Sequence, residues 1–133
     1  MRFSKQIFLI ILVCFVLFAL TACARKAPRI VVEPASQELG EIPQQKIELV
    51  YTVRNDGGSD LEIEKISTSC DCTKAGIDRD KIAPGQSAVL TVTLDPTEDN
   101  LYGDITRVIY LRSNDPENPE VSVEFHVVIQ KPE

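Results

Sequence analysis

Lys46-Ile47-Glu48-Leu49-Val50-Tyr51-Thr52-Val53-Arg54, followed by Asn55-Asp56-Gly57-Gly58, decides the fold class. Side chains two apart share a face of an extended strand. Ile47, Leu49, Tyr51 and Val53 therefore project one way, and Glu48, Thr52 and Arg54 the other. One apolar face opposite a largely polar one is the pattern of a strand that covers a core. The four residues after it tolerate positive φ and reverse the chain.

The same alternation recurs in both directions. Arg29–Glu33 reads as a short first strand closed by Pro34, Leu61–Ser67 as a third, and Ile77–Ile82 as a short fourth before the Pro84-Gly85 turn. Ala88–Leu94 places Ala88, Leu90, Val92 and Leu94 on one face. Asp104–Arg112 follows, then the turn Ser113-Asn114-Asp115-Pro116. Val121–Ile129 ends the series with Val121, Val123, Phe125, Val127 and Ile129 inward. The spacing predicts an all-β fold, an immunoglobulin-like antiparallel β-sandwich of about seven strands. A small open barrel is the alternative, and the long alternating strands near both ends favour the sandwich. With no Trp, and with Cys70 and Cys72 only two apart, an antibody-type domain is excluded.

A different kind of segment precedes these strands. Arg2 and Lys5 are the only charged residues among the first 22, and Ile7–Leu20 runs 14 residues without a charge. A bilayer span wants about 20 such residues, so this run has the length of a signal-peptide apolar region. It ends in Leu20-Thr21-Ala22-Cys23, which resembles the lipobox of bacterial lipoproteins. The resemblance implies that residues 1–22 are a lipoprotein signal peptide and that Cys23 takes a diacylglycerol as the first mature residue. Residues 23–28 would then be the lipidated cysteine and a short tether, and 29–133 the sandwich. The alternative is an uncleaved short anchor with an incidental cysteine. Two or more acyl chains hold a protein firmly, at about 0.8 kcal/mol per buried CH₂. Membrane lipid is thus the expected partner at Cys23. The expected location is the cell membrane or outer membrane, facing the periplasm or extracytoplasmic space. By the same resemblance, Ala24 in place of Asp implies sorting to the outer membrane in a Gram-negative cell. Ala24–Pro28 reaches at most about 16–18 Å when extended. Arg25, Lys26 and Arg29 lie in or beside it, either solvated or touching anionic headgroups at about 1 kcal/mol each at most.

Beyond residue 22 the chain has 111 residues, with 12 basic and 20 acidic side chains and a net charge of −8. That length suits one sandwich with an adequate core. Such a surface repels phosphate backbones, so nucleic acid is excluded as a partner. The 44% hydrophobic content excludes a disordered chain.

Cys70-Asp71-Cys72-Thr73 follows the third strand, after Ser67-Thr68-Ser69. With Cys14 in the discarded segment and Cys23 lipidated, Cys70 and Cys72 are the mature chain's remaining thiols. Three readings stand side by side. The two could form a disulfide, although an extended segment holds their Cα atoms near the upper limit for a bridge. They could hold a soft ion such as Cu(I) as thiolates. Or they are two small hydrophobes fixing a loop. A closed zinc site needs four ligands, more than the sequence offers.

His126, the only histidine, alternates with core residues and is expected to face outward, not to bind metal. The acidic runs Asp95–Asn100 and Asn114–Glu120 lack the spacing of a calcium loop and contain Pro, so they read as loop charge. No catalytic constellation, phosphate loop or cofactor motif stands out, and the chain reads as a non-enzyme without a cofactor.

Several elements together resemble one family. Arg54-Asn55-Asp56-Gly57, Leu61-Glu62-Ile63, Ser69-Cys70-Asp71-Cys72-Thr73, Ile82-Ala83-Pro84-Gly85-Gln86-Ser87 and Ser113-Asn114-Asp115-Pro116 occur in order. They look like the bacterial domain of unknown function 1573 family, related to the ASPM–SPD-2–Hydin and PapD-like groups, over about residues 30–130. Members often carry Gly where this chain has Asp71. The resemblance implies an immunoglobulin-like fold and an exported location, with no established activity. Much of the signature is also scaffold chemistry: Pro84-Gly85 is a turn, and Asn55 and Asn114 are expected to bond their own backbone. The leading functional expectation is a membrane-anchored binding or structural module with an unidentified protein partner. Its alternative is thiol–disulfide exchange or copper handling by Cys70 and Cys72.

Overall fold

The computed structural model describes residues 5–7, 10–11 and 25–133. The expected cleavage position and Cys23, the expected lipidation residue, lie outside the described residues. Among the described residues no helix is long and apolar enough to cross a membrane.

Among the described residues nine strands occur in chain order: β1 (Ile30–Glu33), β2 (Ser36–Ile42), β3 (Ile47–Asn55), β4 (Leu61–Thr68), β5 (Thr73–Ile77), β6 (Lys81–Ile82), β7 (Ser87–Leu94), β8 (Gly103–Ser113) and β9 (Glu120–Ile129). They build a four-stranded sheet, β1-β3-β7-β5, and a five-stranded sheet, β2-β9-β8-β4-β6. The molecule is the immunoglobulin-like sandwich expected from the alternation. Leu49 pairs with Val92, Tyr51 with Leu90 and Val53 with Ala88, and all six side chains are buried. From the facing sheet come Leu61, Ile109, Leu111, Phe125, Val127 and Ile129, also buried. Each large aliphatic side chain so removed from water contributes about 2 kcal/mol. Tyr51 joins the two layers: its hydroxyl donates to the Glu124 carbonyl at 3.0 Å. Burial pushes that phenol up to about 12.

Three expectations are corrected. First, Ser36–Ile42 is a strand the periodicity missed. Only Leu39 and Ile42 are apolar there, so backbone bonding along β9 and not a buried stripe makes it extended. It pairs parallel to β9, the one parallel pair among the described residues, and a register shift lies between Glu38 and Glu41. Gly40, at φ +68°, sits in that irregularity, where a residue with a Cβ would be strained. Second, the strand expected at Ile77–Ile82 is two strands in different sheets. β5 ends at Ile77 after pairing with β7, and β6 pairs Leu61 with Ile82 in the other sheet. Asp78 marks the crossing, its carboxylate accepting from the Val89 amide at 2.9 Å. Third, Gly57 and Gly58 do not adopt positive φ, whereas Gly85 does, at +75°.

The long strands gather the loops at two poles. Ile30 pairs with Asn55, Arg54 with Ser87, Leu61 with Ile82 and Arg112 with Glu120, so the N-terminal segment and the 55–60, 83–86 and 113–119 turns share one pole. At the other, Ile47 and Thr73 pair with Leu94 and Gly103 with Ile129, while β4 ends at Thr68 opposite Ile109, midway along β8. That end carries Cys70, Cys72, the Asp95–Asn100 loop and the C-terminus.

Candidate functional site

Cys70 and Cys72 are joined by a disulfide with their Cα atoms 5.2 Å apart. The extended segment expected there is instead a tight turn, which brings the Cα atoms well inside bridging range. Residues on both sides fix it. The Thr68 hydroxyl lies 2.8 Å from the Cys70 carbonyl and 3.0 Å from that of Thr73, and the Thr73 amide donates to the Cys70 carbonyl at 3.1 Å. Ser69 ties the turn to β8: its amide donates to the Val108 carbonyl, and its hydroxyl accepts from the Val108 amide at 3.1 Å. Cys72 packs against the core, Thr73 is buried and Asp71 is exposed. Among the described residues Asn100 is the only non-glycine at positive φ, so Asp71 sits in the turn without backbone strain. With both sulfurs in one bond, neither is a thiolate available to copper.

The opposite pole is held by buried polar side chains. Asn55 is fully buried. Its amide nitrogen donates to the carbonyls of Ser59 (2.8 Å) and Ile82 (2.9 Å), and its oxygen accepts from the amides of Gly57 (2.9 Å) and Arg29 (3.3 Å). The Gly57 and Ser59 bonds are the local turn bonds expected of it, and those to Ile82 and Arg29 reach other segments. Asn114 bonds away from its own turn, accepting from the Glu62 amide at 2.8 Å and donating to the Asp60 carbonyl at 3.1 Å. Asp115, read from the sequence as loop charge, is 1% exposed. Its carboxylate accepts from the amides of Ile30 (2.9 Å), Glu117 (2.9 Å) and Asn118 (3.1 Å). Burial opposes its charge, but those backbone donors outweigh it and hold the carboxyl below its ordinary value.

The segment expected to be a tether is clasped at this pole. The Asp56 amide donates to the Arg29 carbonyl at 2.9 Å and the Gly58 amide to the Ala27 carbonyl at 3.2 Å. A Cβ on Gly57 would collide with the backbone of Ala27, Pro28 and Arg29, and one on Gly58 would fall 2.9 Å from the Lys26 Cβ. Close approach is what glycine permits here.

His126 faces outward as expected, but it is not idle. Nδ1 lies 2.7 Å from the Glu38 carboxylate on β2, and Nε2 lies 2.8 Å from that of Asp104 on β8. Both ring nitrogens donate only in the imidazolium. The Glu38 hydrogen bond, then that of Asp104, raises the His126 pKa. Sequence reasoning missed this bridge because Glu38 lies on the unrecognised β2. In the Asp95–Asn100 loop, Asp95 accepts from the Thr97 amide at 3.0 Å and from its hydroxyl, an ordinary turn cap. No group of three or more His, Cys, Asp or Glu among the described residues is arranged to hold a metal.

Solved structures share this architecture. A protein of unknown function from Porphyromonas gingivalis W83 is similar over 81% of this chain and 50% of its own, at 21% identity and a TM-score of 0.71. The chain thus spans half the length of that relative. The ASH/PapD-like domain 7 of human CEP192 is similar over 80% of this chain and 89% of its own, at 10% identity and 0.59. The Vibrio cholerae VesB protease is similar over 74% of this chain but 31% of its own, at 14% identity and 0.63. Identities this low speak to the fold alone. No curated protein matches the chain in sequence. The family described as "Protein of unknown function (DUF1573)" matches residues 30–128, from the first residue of β1 nearly to the end of β9. The chain belongs to that family.

Proposed function

We propose that this protein is an exported, lipid-anchored, non-catalytic module that binds a protein partner. One observation carries the non-catalytic part. Three of the buried polar side chains are already engaged in holding backbone, Asn55, Asp115 and Ser113 at one pole, and the hydroxyl of the fourth, Thr73, lies against the Cys72 sulfur. Contact surfaces remain in the exposed loops and in the outer edges of β1, β5, β2 and β6, since edge strands with unpaired backbone groups accept an added strand. Leu20-Thr21-Ala22-Cys23 after a 14-residue apolar run supports the anchor at Cys23. On this reading the domain lies outside the cytoplasm at the cell or outer membrane.

The test is the intact mass of the protein taken from its native envelope without reductant, with alkylation before and after reduction. Lipid mass on Cys23 and label on Cys70 and Cys72 only after reduction are expected. An unprocessed N-terminus would overturn the anchor. The binding reading expects Cys70→Ser to leave partner association intact while changes in a loop or edge strand abolish it; the reverse pattern would overturn it.

A further inference from the structure

From a lipidated Cys23 to Lys26 is three residues, a reach of about 10 Å. Residues 26–29 are already part of the folded body, through the Gly58–Ala27 and Asp56–Arg29 backbone bonds and the Ile30–Asp115 bond. A chain clasped so close to its anchor leaves the domain little freedom to tumble.

We propose that the domain stands end-on at the membrane, with the pole of the Asn55–Asp60, Ala83–Gln86 and Asn114–Pro119 turns against the lipid headgroups and the disulfide pole presented outward. This rests on lipid anchoring at Cys23. The clasped pole also offers cations to the membrane. Arg25, Lys26 and Arg29 lie at the clasped pole, suited to anionic headgroups within a Debye length. The acidic groups there are partly neutralised, Asp56 by Arg54 at 2.6 Å and Asp60 by Lys81 at 3.3 Å. Glu117 beside Lys26 and Arg29 opposes the attraction, so the short clasped connection and not charge alone sets the orientation. The far pole carries exposed Asp71, Glu98 and Asp99 but also exposed Lys46, Lys74 and Lys131, so charge there does not set the orientation and the clasp carries it. β8 runs between the poles with 11 residues; the disulfide turn bonds it at Val108, roughly 17 Å from Ser113, while its far end at Gly103 stands roughly 33 Å above the proximal turns. A partner approaching from solution therefore meets the Asp95–Asn100 loop first.

The experiment uses the full-length lipidated protein, reconstituted in phosphatidylethanolamine–phosphatidylglycerol vesicles that contain a headgroup-labelled acceptor lipid. A donor dye is placed through Gln86→Cys at the clasped pole or Glu98→Cys at the far pole, labelled without reductant. The donor at 86 should lose most of its emission and the donor at 98 should keep most of it. Inserting a twelve-residue Gly-Ser spacer between Ala24 and Arg25, which leaves the folded part untouched, should erase that difference. Equal transfer from both positions, in protein whose mass shows lipid on Cys23, overturns the orientation while the anchor stands. A difference that survives the spacer also overturns it, because the short clasped connection would not be its cause. Protein without lipid on Cys23 that fails to bind vesicles overturns the anchor and the orientation together.

Discussion

The two poles solve one physical problem by different means. Each must terminate strands of both sheets and satisfy the backbone groups the turns expose, since buried N–H and C=O groups left unpaired are costly. The clasped pole uses side chains as surrogate backbone: Asn55 and Asp115 make seven hydrogen bonds to main-chain atoms between them. The far pole uses a covalent bond two residues apart, braced by Thr68 and Ser69. The first device joins segments up to 85 residues apart in sequence. The disulfide closes only a local turn. Long-range closure should matter to global stability, and the short loop chiefly to the shape of one end.

Removing the long-range device has the largest expected effect. Asn55→Ala or Asp115→Ala should each lower unfolding free energy by about 3 kcal/mol, because several buried backbone groups lose their partners at once. Both hold residues 29–30, so the double variant should cost less than the sum. Urea titration of the three variants measures this, and a loss under about 1 kcal/mol for either single change would contradict the account. Asp115 also has a pH signature. Its folded pKa is depressed, so its contribution is present above the unfolded carboxyl value, about 3.9, and fades as pH falls through the lower folded value. Acid titration of Asp115→Asn should lack that component.

Gly57→Val tests the clasp itself. The added side chain meets backbone that has no flexible end to yield, and overpacking of this kind costs about 1–3 kcal/mol. Hydrogen exchange at the Asp56 and Gly58 amides should accelerate, while exchange in β8 and β9 follows only the global loss. Cys70→Ser comes next. A loop of three residues limits the chain-entropy gain of a disulfide to about 1.6 kcal/mol, so a loss at or below that figure is expected. Exchange at Asp56 and Gly58 should not change, which separates the poles.

How much of this was legible differs along the chain for physical reasons. The inward faces of β3, β7 and β9 were read correctly because their residues are strongly apolar at period two: Val53, Leu90 and Phe125 are all fully buried. Strand β2 was invisible because its residues, Ser36 to Ile42, contribute backbone bonds more than buried area. The family and the cysteine pair were legible from local motifs. The turn around Asp71 was not, because its geometry comes from Thr68 and the Ser69–Val108 bonds to another strand. Nor was the role of Asp115 visible, since a lone carboxylate in a turn looks solvated until Ile30 is placed beside it.

The smallest expected effect belongs to His126, which pins the edge strand β2 to β9 and β8 between the poles. Its pKa is raised by the Glu38 and Asp104 carboxylates. A raised folded value means the contribution is fully present below the unfolded histidine value, about 6.5, and is lost as pH climbs through the folded value. This sign is opposite to that of Asp115. Glu38 and Asp104 face the ring from the neighbouring strands, and Glu124 lies two residues away on the same face of β9. All three are carboxylates, so every charged neighbour favours the imidazolium. Loss of the proton leaves one ring nitrogen facing a carboxylate without a hydrogen to donate. β2 should then loosen while the buried core stays intact, because only exposed bonds and a strand edge are involved. Hydrogen exchange of β2 amides measured across neutral and mildly alkaline pH, after correction for intrinsic rates, should show this gain in opening, and His126→Gln should flatten it. A β2 whose corrected exchange ignores pH would show that its backbone pairing with β9 suffices without the bridge.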